Sequence, residues 1–528
     1  MNLRQIVPSL LLAAAALPAS AADHALVGPR ALGMGGANAA CTKDGLAQYH
    51  NPAAFGFMWR DAEEGAKDDE PGERDNNLIG RKRFGWNIVD AQGGVTLAGD
   101  IGEYLEDLAD IDYERLSNAT DLSPQDVSDL VTLASRLTAI DDPGNAVLFD
   151  LNAGGAVRVG HLAVGARVFA DAVGLVSQID TSALGLSFDQ AGVRTELGDA
   201  AAADTGFTGS AQAGGTYQWL TPSQQAALAG DLGTTTADPA VLYLDYQIGQ
   251  AIASGVATPE QVSQLVEVLT GAIQGSDGPL NVSNNLENNL TSVLMRGLAV
   301  AEIPVSYGYA VNDAFSVGVT ARLLIGRLYG TSVLVFSDDN TAVIDEIDNA
   351  YEETTTVGID VGLMYRWPRF QVALTGHNLN APEFDGFTYE KDLNRNGVIN
   401  AGERWSVPGF QLDPQVTVAG AWMPLPTLTV EADVDLLKTD TLLPGRERQM
   451  LRVGAEWDIL RFLALRGGIS KDLAETDIAW LLHAGLGVNF WLMRIYLAGA
   501  VAIDDTVEYD GSKYPQEARV ALGVAVDF

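Results

Sequence analysis

The chain has 528 residues, of which 47% are hydrophobic and 56 are glycine, and its formal net charge is −37. This charge argues against a nucleic-acid partner, because phosphate backbones are bound through Lys and Arg. The single cysteine, Cys41, excludes a disulfide within the chain and any dithiol redox pair.

The N-terminus has the layout of an export signal. Arg4 precedes a short apolar run at residues 10–17, and the small-residue pattern ASA follows at residues 19–21. The run is much shorter than the ~20 residues that a membrane-spanning helix needs. We predict that residues 1–22 are a signal peptide and that the mature chain enters a Gram-negative bacterial envelope.

A glycine-rich segment follows, with the sequence GPRALGMGGANAACTKDGLAQYHNPAAFGF. Its cluster Gly33, Gly35 and Gly36 does not fit a nucleotide-binding loop, because no strand precedes it and no Lys-Ser/Thr pair follows. Glycine permits tight backbone turns, so this segment suits a confined space.

From residue 84 onward, apolar residues alternate with small or polar ones, the period of a β-strand. One strand near Phe84–Ala98, six hairpins and a last strand that reaches Phe528 sum to about 14 strands, an even number as single-chain membrane barrels require. Short turns are predicted at Gly160–His161, Asn312–Asp313, Trp367–Arg369, Met423–Pro426, Asp458–Arg461 and Trp491–Met493.

The short turns alternate with long polar loops, which is typical of an outer-membrane barrel and not of a soluble sandwich. We therefore predict an all-β fold: a 14-stranded antiparallel transmembrane β-barrel over residues 81–528, with an N-terminal hatch or plug over residues 23–80. Both termini would lie in the periplasm, and the outward strand faces would contact outer-membrane lipid. Aromatic residues beside the short turns would form a girdle at the membrane interface.

Two insertions, residues 100–145 and 177–291, have helical patterns instead of strand patterns. Ser123 precedes Pro124 as an N-cap, and Thr258 with Gln261 forms a capping box. Each helix has one apolar stripe that must be covered. The helices either pack on one another as an extracellular cap or line an apolar entrance for an amphiphilic ligand, and the two interpretations are compatible.

The stretch DLNRNGVINAGE, Asp392–Glu403, fits the twelve-position calcium loop in full. Its flanks do not have helical patterns, so a bare loop with a structural calcium ion is expected. Affinity should be weak, in the ~10⁻⁴–10⁻³ M range, because only two ligands are charged. The predicted ligands are Asp392, Asn394, Asn396, the Val398 carbonyl, Asn400 through water, and Glu403.

The segment RALGMGGA, followed by an acidic DG and then NPAA, resembles the start of the FadL-type outer-membrane transport superfamily, and most closely its conjugal-transfer TraF-like group. The resemblance implies a hatch inside a 14-stranded barrel. It places Gly33, Gly35, Gly36, Asn51, Pro52 and Ala53 in the hatch motif. A terminal aromatic such as Phe528 likewise resembles the signal that barrel-assembly machinery reads.

Three functions are compatible with these features. The first is passive uptake or binding of hydrophobic or amphiphilic small molecules, and the second is a structural role in a conjugation or secretion system. The third is a soluble secreted β-protein. Catalysis is not expected, because the five histidines are scattered and no nucleophile elbow is present.

Overall fold

The structure is a computed structural model. The predicted signal peptide and Phe528 lie outside the residues that it describes, so the predictions about them stay predictions. The described residues are 26–65, 83–111, 123–140, 144–178, 190–208, 217–275, 291–334, 350–392, 397–399, 404–459, 462–475, 479–490, 492–503, 506–509 and 512–527.

Fourteen antiparallel strands form one closed barrel, which confirms the predicted fold class. Each strand pairs with the next along the chain, and the last pairs with the first, so the barrel has no open edge. The strands are β1 (Phe84–Ala98), β2 (Ala146–Val159), β3 (Leu162–Gln178), β4 (Ser292–Ala310), β5 (Phe315–Leu334), β6 (Tyr351–Arg366), β7 (Phe370–His377), β8 (Gln415–Leu425), β9 (Leu428–Asp435), β10 (Met450–Ile459), β11 (Leu463–Asp472), β12 (Leu481–Phe490), β13 (Met493–Ala502) and β14 (Glu517–Asp527).

Short and long connections alternate strictly around the barrel, as the sequence predicts. We call the two ends the short-turn end and the long-loop end. The turn expected at Met423–Pro426 lies instead at 426–427, because pairing continues to Leu425 opposite Leu428. The strands are also unequal: β1–β6 have 14 to 20 residues and β7–β14 have 8 to 11, although about 10 is typical.

Strand β14 illustrates how alternation produces the two faces of the wall. Val520 and Leu522 are 58% and 53% exposed, while Ala521 and Ala525 are buried toward the lumen. The same alternation recurs around the barrel and leaves a broad apolar outer surface. A surface of this kind does not suit a soluble secreted protein, because soluble monomers rarely expose large contiguous apolar patches.

Aromatic rings surround the short-turn end and face outward. Trp367, Phe370, Trp422, Trp457 and Phe490 are each about half exposed, between 48% and 57%. Rings in a soluble core would be buried, so this arrangement fits the predicted interfacial girdle.

Described parts of the loops fold inward at the long-loop end. Phe384 and Val407, which lie between β7 and β8, pack on the inner wall where Gly326 and Gly330 leave room for their side chains. They join an apolar cluster with Leu298 and other residues of the long strands β4 and β5. The extra length of these strands is thus buried against the loops.

The helices of the two insertions pack on one another, which is the arrangement that the cap interpretation predicts. Residues from five of these helices share one apolar cluster. Ser123 and Thr258 cap their helices as the sequence indicates. None of the helices in the described part of the chain is long and apolar enough to cross a membrane. Their bounds are α1 (Pro29–Gly33), α2 (Ala47–His50), α3 (Ala54–Gly65), α4 (Ile101–Asp110), α5 (Pro124–Ile140), α6 (Gln190–Ala203), α7 (Pro222–Asp231), α8 (Pro239–Ser254) and α9 (Val262–Gly275), with a 3₁₀ turn at Pro259–Gln261.

Candidate functional site: the luminal segment and the cavity beside it

Residues 26–65 lie inside the barrel, and we call them the luminal segment. Almost all of them are buried, and they contact the inward faces of the strands. Gly35 and Gly36 have φ values of +69° and +86°, which residues with a side chain rarely adopt. The α-carbon of Gly33 lies against Gly485 of the wall. The glycine cluster therefore provides tight turns and a close approach of the segment to the wall.

Wall glycines provide the complementary space. A Cβ added at Gly468 would lie 2.5 Å from the Gly35 nitrogen, and one at Gly454 would overlap the Met34 carbonyl. On the opposite side, a Cβ at Gly318 would overlap Pro52. The luminal segment is seated directly on wall backbone at these points.

The Asn51-Pro52-Ala53 motif fixes the turn that enters α3. The Asn51 side-chain oxygen accepts a hydrogen bond from the Ala53 amide at 3.0 Å, and its amide group donates to the Leu363 carbonyl at 3.3 Å. Ser316 donates to the Ala53 carbonyl at 2.7 Å. All three motif residues are buried, so the motif joins the segment to β5 and β6.

A single carboxylate on β10 holds two cations of the luminal segment. Glu456 accepts from Arg30 Nε at 2.9 Å and from Lys43 Nζ at 2.8 Å. Arg466 of the neighbouring strand also donates to Glu456, at 2.7 Å. All four side chains are at most 5% exposed, so these charges interact away from bulk water.

Two carboxylates on β9 bind the segment through its backbone. Asp433 accepts from the amides of Asn38 and Ala39, each at 3.0 Å. Glu431 accepts from the Ala40 amide and from the Cys41 thiol, each at 2.5 Å. Burial raises the pKa of the Cys41 thiol, and the adjacent Glu431 carboxylate raises it further, so this sulfur stays protonated at neutral pH.

Two histidines bind the segment's carbonyls. His483 of β12 contacts the Leu32 carbonyl at 2.9 Å, and His50 within the segment contacts the Val27 carbonyl at 2.9 Å. Burial lowers the pKa of His50 to about 4, which keeps this ring neutral near pH 7.

A cavity of about 100 Å³ lies between the luminal segment and the long-loop end, and we call it the long-loop cavity. Leu26 belongs to its floor, Leu148 and Val173 to its wall, and Leu442 to a loop above. Gln92 of β1 also lines it. This side chain is 2% exposed, and neither polar atom of its amide has a partner among the described residues.

Another part of the lining carries charge. Arg519 is paired with Asp150 at 2.5 Å and with Glu517 at 2.5 Å, while Arg446 and Arg448 come from the loop between β9 and β10. The cavity therefore combines apolar side chains, an unsatisfied amide and ion-paired groups. Such a lining suits a small molecule with one apolar and one polar part.

The segments that flank the predicted calcium loop pair with each other, Phe387–Glu390 with Arg404–Val407. The Gly397 amide donates to Asp392 Oδ2 at 2.6 Å, and Gly397 has a φ of +81°. Asn394, Asn396, Asn400 and Glu403 lie outside the described residues. Within the described residues, no three His, Cys, Asp or Glu side chains are grouped as a metal site.

Sequence reasoning missed the luminal charges, although their signal is visible. In the stretch TVEADVD, Glu431, Asp433 and Asp435 occupy every second position of a strand whose other positions include Val430 and Val434. All three acids are buried in the lumen. Acidic residues on one face of a membrane strand indicate that something polar lies inside the barrel.

The fold and the luminal segment define the class of this protein as a closed β-barrel that holds its own N-terminal segment in the lumen. A family model described as "F plasmid transfer operon, TraF, protein" matches residues 48–435, from the luminal segment to the end of β9. The chain belongs to this family. Its strands form one closed barrel.

Solved structures similar to the chain include two toluene transporters and a FadL homologue. The toluene transporter TbuX of Ralstonia pickettii is 13% identical, with a TM-score of 0.43 and coverage of 95% of this chain and 98% of that one. The toluene transporter TodX of P. putida is 10% identical, with a TM-score of 0.42 and coverage of 96% and 99%. A FadL homologue of Pseudomonas aeruginosa is 11% identical, with a TM-score of 0.41 and coverage of 95% and 98%. A search of curated protein sequences returned no match.

Proposed function

We propose that this protein is an outer-membrane barrel that binds small hydrophobic or amphiphilic molecules in the long-loop cavity and admits them passively. In this orientation the long-loop end faces the outside, and the short-turn end faces the periplasm. The observation that carries the proposal is the cavity lining, in which apolar Leu148 and Val173 lie beside the unpartnered, buried amide of Gln92.

The cavity volume limits the size of the molecule. An apolar cavity of about 150 Å³ binds benzene, so a volume of about 100 Å³ suits a ligand of similar or smaller size. The Gln92 amide offers a donor and an acceptor to a polar group of the ligand. A longer molecule would require the loops or the luminal segment to move.

Passage of a ligand through the barrel requires the luminal segment to move out of its position in the lumen. The contacts that hold the segment to the wall are all non-covalent. They are hydrogen bonds and ion pairs centred on Glu456, Glu431 and Asp433. The single cysteine leaves no disulfide that would fix the segment to the wall. The segment would act as the hatch that the family resemblance implies, with the glycine cluster and the Asn51-Pro52-Ala53 motif as its seating elements.

Filling the cavity tests this function. We expect Leu148→Trp to reduce saturable binding of radiolabelled phenol to the purified barrel by at least about tenfold, because the indole would occupy the ligand's space. Phenol has a ring of benzene size and a hydroxyl group that can pair with the Gln92 amide. Val168→Trp is the matched control, since Val168 faces outward on β3 and is 51% exposed. Absence of saturable binding in the wild type, or equal binding in Leu148→Trp, would contradict the proposal.

A structural role in a conjugation apparatus is the second candidate. The family description names a plasmid transfer operon, and the luminal segment occupies the lumen. Mild cross-linking and co-purification from envelopes would then recover a defined set of protein partners. If the role is structural, a strain that carries only the Leu148→Trp variant should transfer plasmid normally. If plasmid transfer depends on ligand transport through this barrel, the same strain should lose plasmid transfer.

We also propose that the loop Asp392–Glu403 binds one structural calcium ion weakly. Millimolar calcium is expected to slow proteolysis within this loop several-fold, because the ion would order the hairpin tip, and Glu403→Gln should abolish the protection. Glu390→Gln, in the flanking strand, is the control. Equal cleavage rates with calcium and with chelator would refute this proposal.

Barrel-assembly machinery and outer-membrane lipid remain the predicted partners for insertion and residence. The terminal Phe528 would be the feature that the machinery reads. Heat-dependent gel migration of the protein in an outer-membrane fraction tests the location.

A further inference from the structure

The long-loop cavity has an excess of negative charge. Its described lining includes the guanidinium groups of Arg446, Arg448 and Arg519, and twice as many carboxylates. The carboxylates are those of Asp150, Asp171, Asp440, Glu447, Asp472 and Glu517. We propose that the ligand of this cavity is a small protonated amine with an apolar body. This inference rests on the proposed function and names the class of its ligand.

The register of the sheet holds two of these carboxylates side by side. Asp150 of β2 lies directly opposite Asp171 of β3, and both side chains line the cavity. Directly opposite residues have Cβ atoms about 4.5–5.5 Å apart, and like charges in such positions destabilise a strand pair. Arg519 reaches Asp150 from the other side, across Gly94 of β1, at 2.5 Å. A cationic group of a ligand beside the two carboxylates would offset their repulsion.

Ion pairing does not cancel the excess of negative charge. Arg519 binds Asp150 and Glu517, each at 2.5 Å, so one guanidinium group serves two carboxylates. Glu447 is paired at 2.6 Å with Lys438, which lies outside the described lining. When Lys438 is counted with the lining, six negative groups still face four positive ones. The charge of the lining therefore favours a cationic ligand over an anionic one.

Gln92 provides a hydrogen-bond acceptor next to these charges. It precedes Gly94 by two residues on β1, so it lies on the same face of the strand, about 7 Å further from the long-loop end. Its side chain is 2% exposed, and its amide oxygen and nitrogen have no partner among the described residues. A primary ammonium group has three N–H donors, so it can bond to the Gln92 oxygen and still face the carboxylates.

The apolar part of the lining favours an organic cation over a metal ion. Leu26, Leu148, Val173 and Leu442 all border the cavity, and the hydrocarbon part of an amine would cover them. In the part of the chain that the structure describes, no three His, Cys, Asp or Glu side chains are grouped as a metal site. The volume of about 100 Å³ limits the amine to about the size of benzene or less.

The two insertions carry charge of the same sign as the cavity. Residues 100–145 and 177–291 together contain 24 Asp and Glu residues but 3 Lys and Arg residues. Both insertions connect strands at the long-loop end. A protein region with charge of one sign attracts counter-ions and raises their local concentration. Cations would therefore be enriched at the end of the barrel where the cavity lies, and anions would be depleted.

Three probes of similar size test the inference on the full-length purified barrel. They are n-butylamine, which is protonated at neutral pH, neutral n-butanol, and the butyrate anion. Each would compete with radiolabelled phenol for the cavity. We expect the dissociation constant of n-butylamine to be at least about tenfold below that of n-butanol, and butyrate to bind more weakly than n-butanol.

Asp171→Asn removes one of the two adjacent carboxylates without a change of shape. It should raise the dissociation constant of n-butylamine by at least about tenfold and leave that of n-butanol nearly unchanged, because only the amine is charged. The matched control is Glu353→Gln, which removes a carboxylate of β6 outside the cavity lining. It should bind all three probes as the wild type does. Heat-dependent gel migration would verify that both variants fold.

The outcomes separate this inference from the proposed function. If phenol binds and Leu148→Trp blocks it, but n-butanol or butyrate binds at least as tightly as n-butylamine, the inference is overturned and the proposed function stands. Equal preference for n-butylamine in Asp171→Asn and in the wild type would also overturn the inference. If none of the probes binds saturably, the proposed function is contradicted, and the inference fails with it.

Discussion

Replacing Gly468 by valine is expected to open the barrel and to raise its ion conductance in planar bilayers several-fold. An added Cβ would lie 2.5 Å from both the Gly35 nitrogen and the Met34 carbonyl carbon. Both are backbone atoms, so a side-chain rotation cannot relieve the overlap. The luminal segment must therefore move away from β11. Valine is well tolerated within strands, so the wall itself should still form.

The neighbouring residue provides a matched control. Gly467 faces outward, and a Cβ added there meets nothing within 4 Å. Gly467→Val should leave conductance at the wild-type level, while both variants should show the heat-dependent migration of a folded barrel. A folded Gly468→Val barrel with wild-type conductance would mean that the segment is not the element that closes the lumen.

Loss of the Glu456 carboxylate is expected to have the largest effect on stability. Glu456→Gln would leave Arg30, Lys43 and Arg466 buried without their common counter-charge. Removing one partner of a buried ion pair typically costs about 3–5 kcal/mol, because the remaining charge stays desolvated. The temperature of the transition in the gel-migration assay should fall clearly below that of the wild type.

Glu353→Gln serves as the control, because it removes the carboxylate of an Arg–Glu ion pair that is exposed instead of buried. Glu353 and Arg327 form a 2.7 Å ion pair in which both side chains are about half exposed. Exposed pairs contribute little, so this variant should unfold near the wild-type temperature. Equal shifts in the two variants would show that burial of the Glu456 network does not contribute to the closed state.

The strand pattern was predictable because it is local. Alternation in β14, with Val520 and Leu522 outward and Ala521 inward, follows from the pleat alone and needs no knowledge of partners. The capping of α5 by Ser123 has the same local origin. The lengths of β4 and β5 were not predictable in this way, because the parts of these strands near the long-loop end pack against Phe384 and Val407 of a distant loop.

The site was predictable only in part. The glycine cluster and the Asn51-Pro52-Ala53 motif carry a local signal of tight turns. The contacts of Arg30 do not, because its partner Glu456 lies 426 positions further along the chain. The alternating acids of β9 carry a signal of a polar lumen that the sequence analysis missed, and the backbone amides that they bind could be identified only once the segment was placed.

Native mass spectrometry of the barrel, extracted in mild detergent and exposed to phenol, tests the central claim most directly. We predict one small apolar or amphiphilic molecule per wild-type barrel, its loss in Leu148→Trp, and its retention in Val168→Trp. An empty wild-type barrel, or the same adduct in Leu148→Trp, would contradict the assignment of the long-loop cavity as the ligand site.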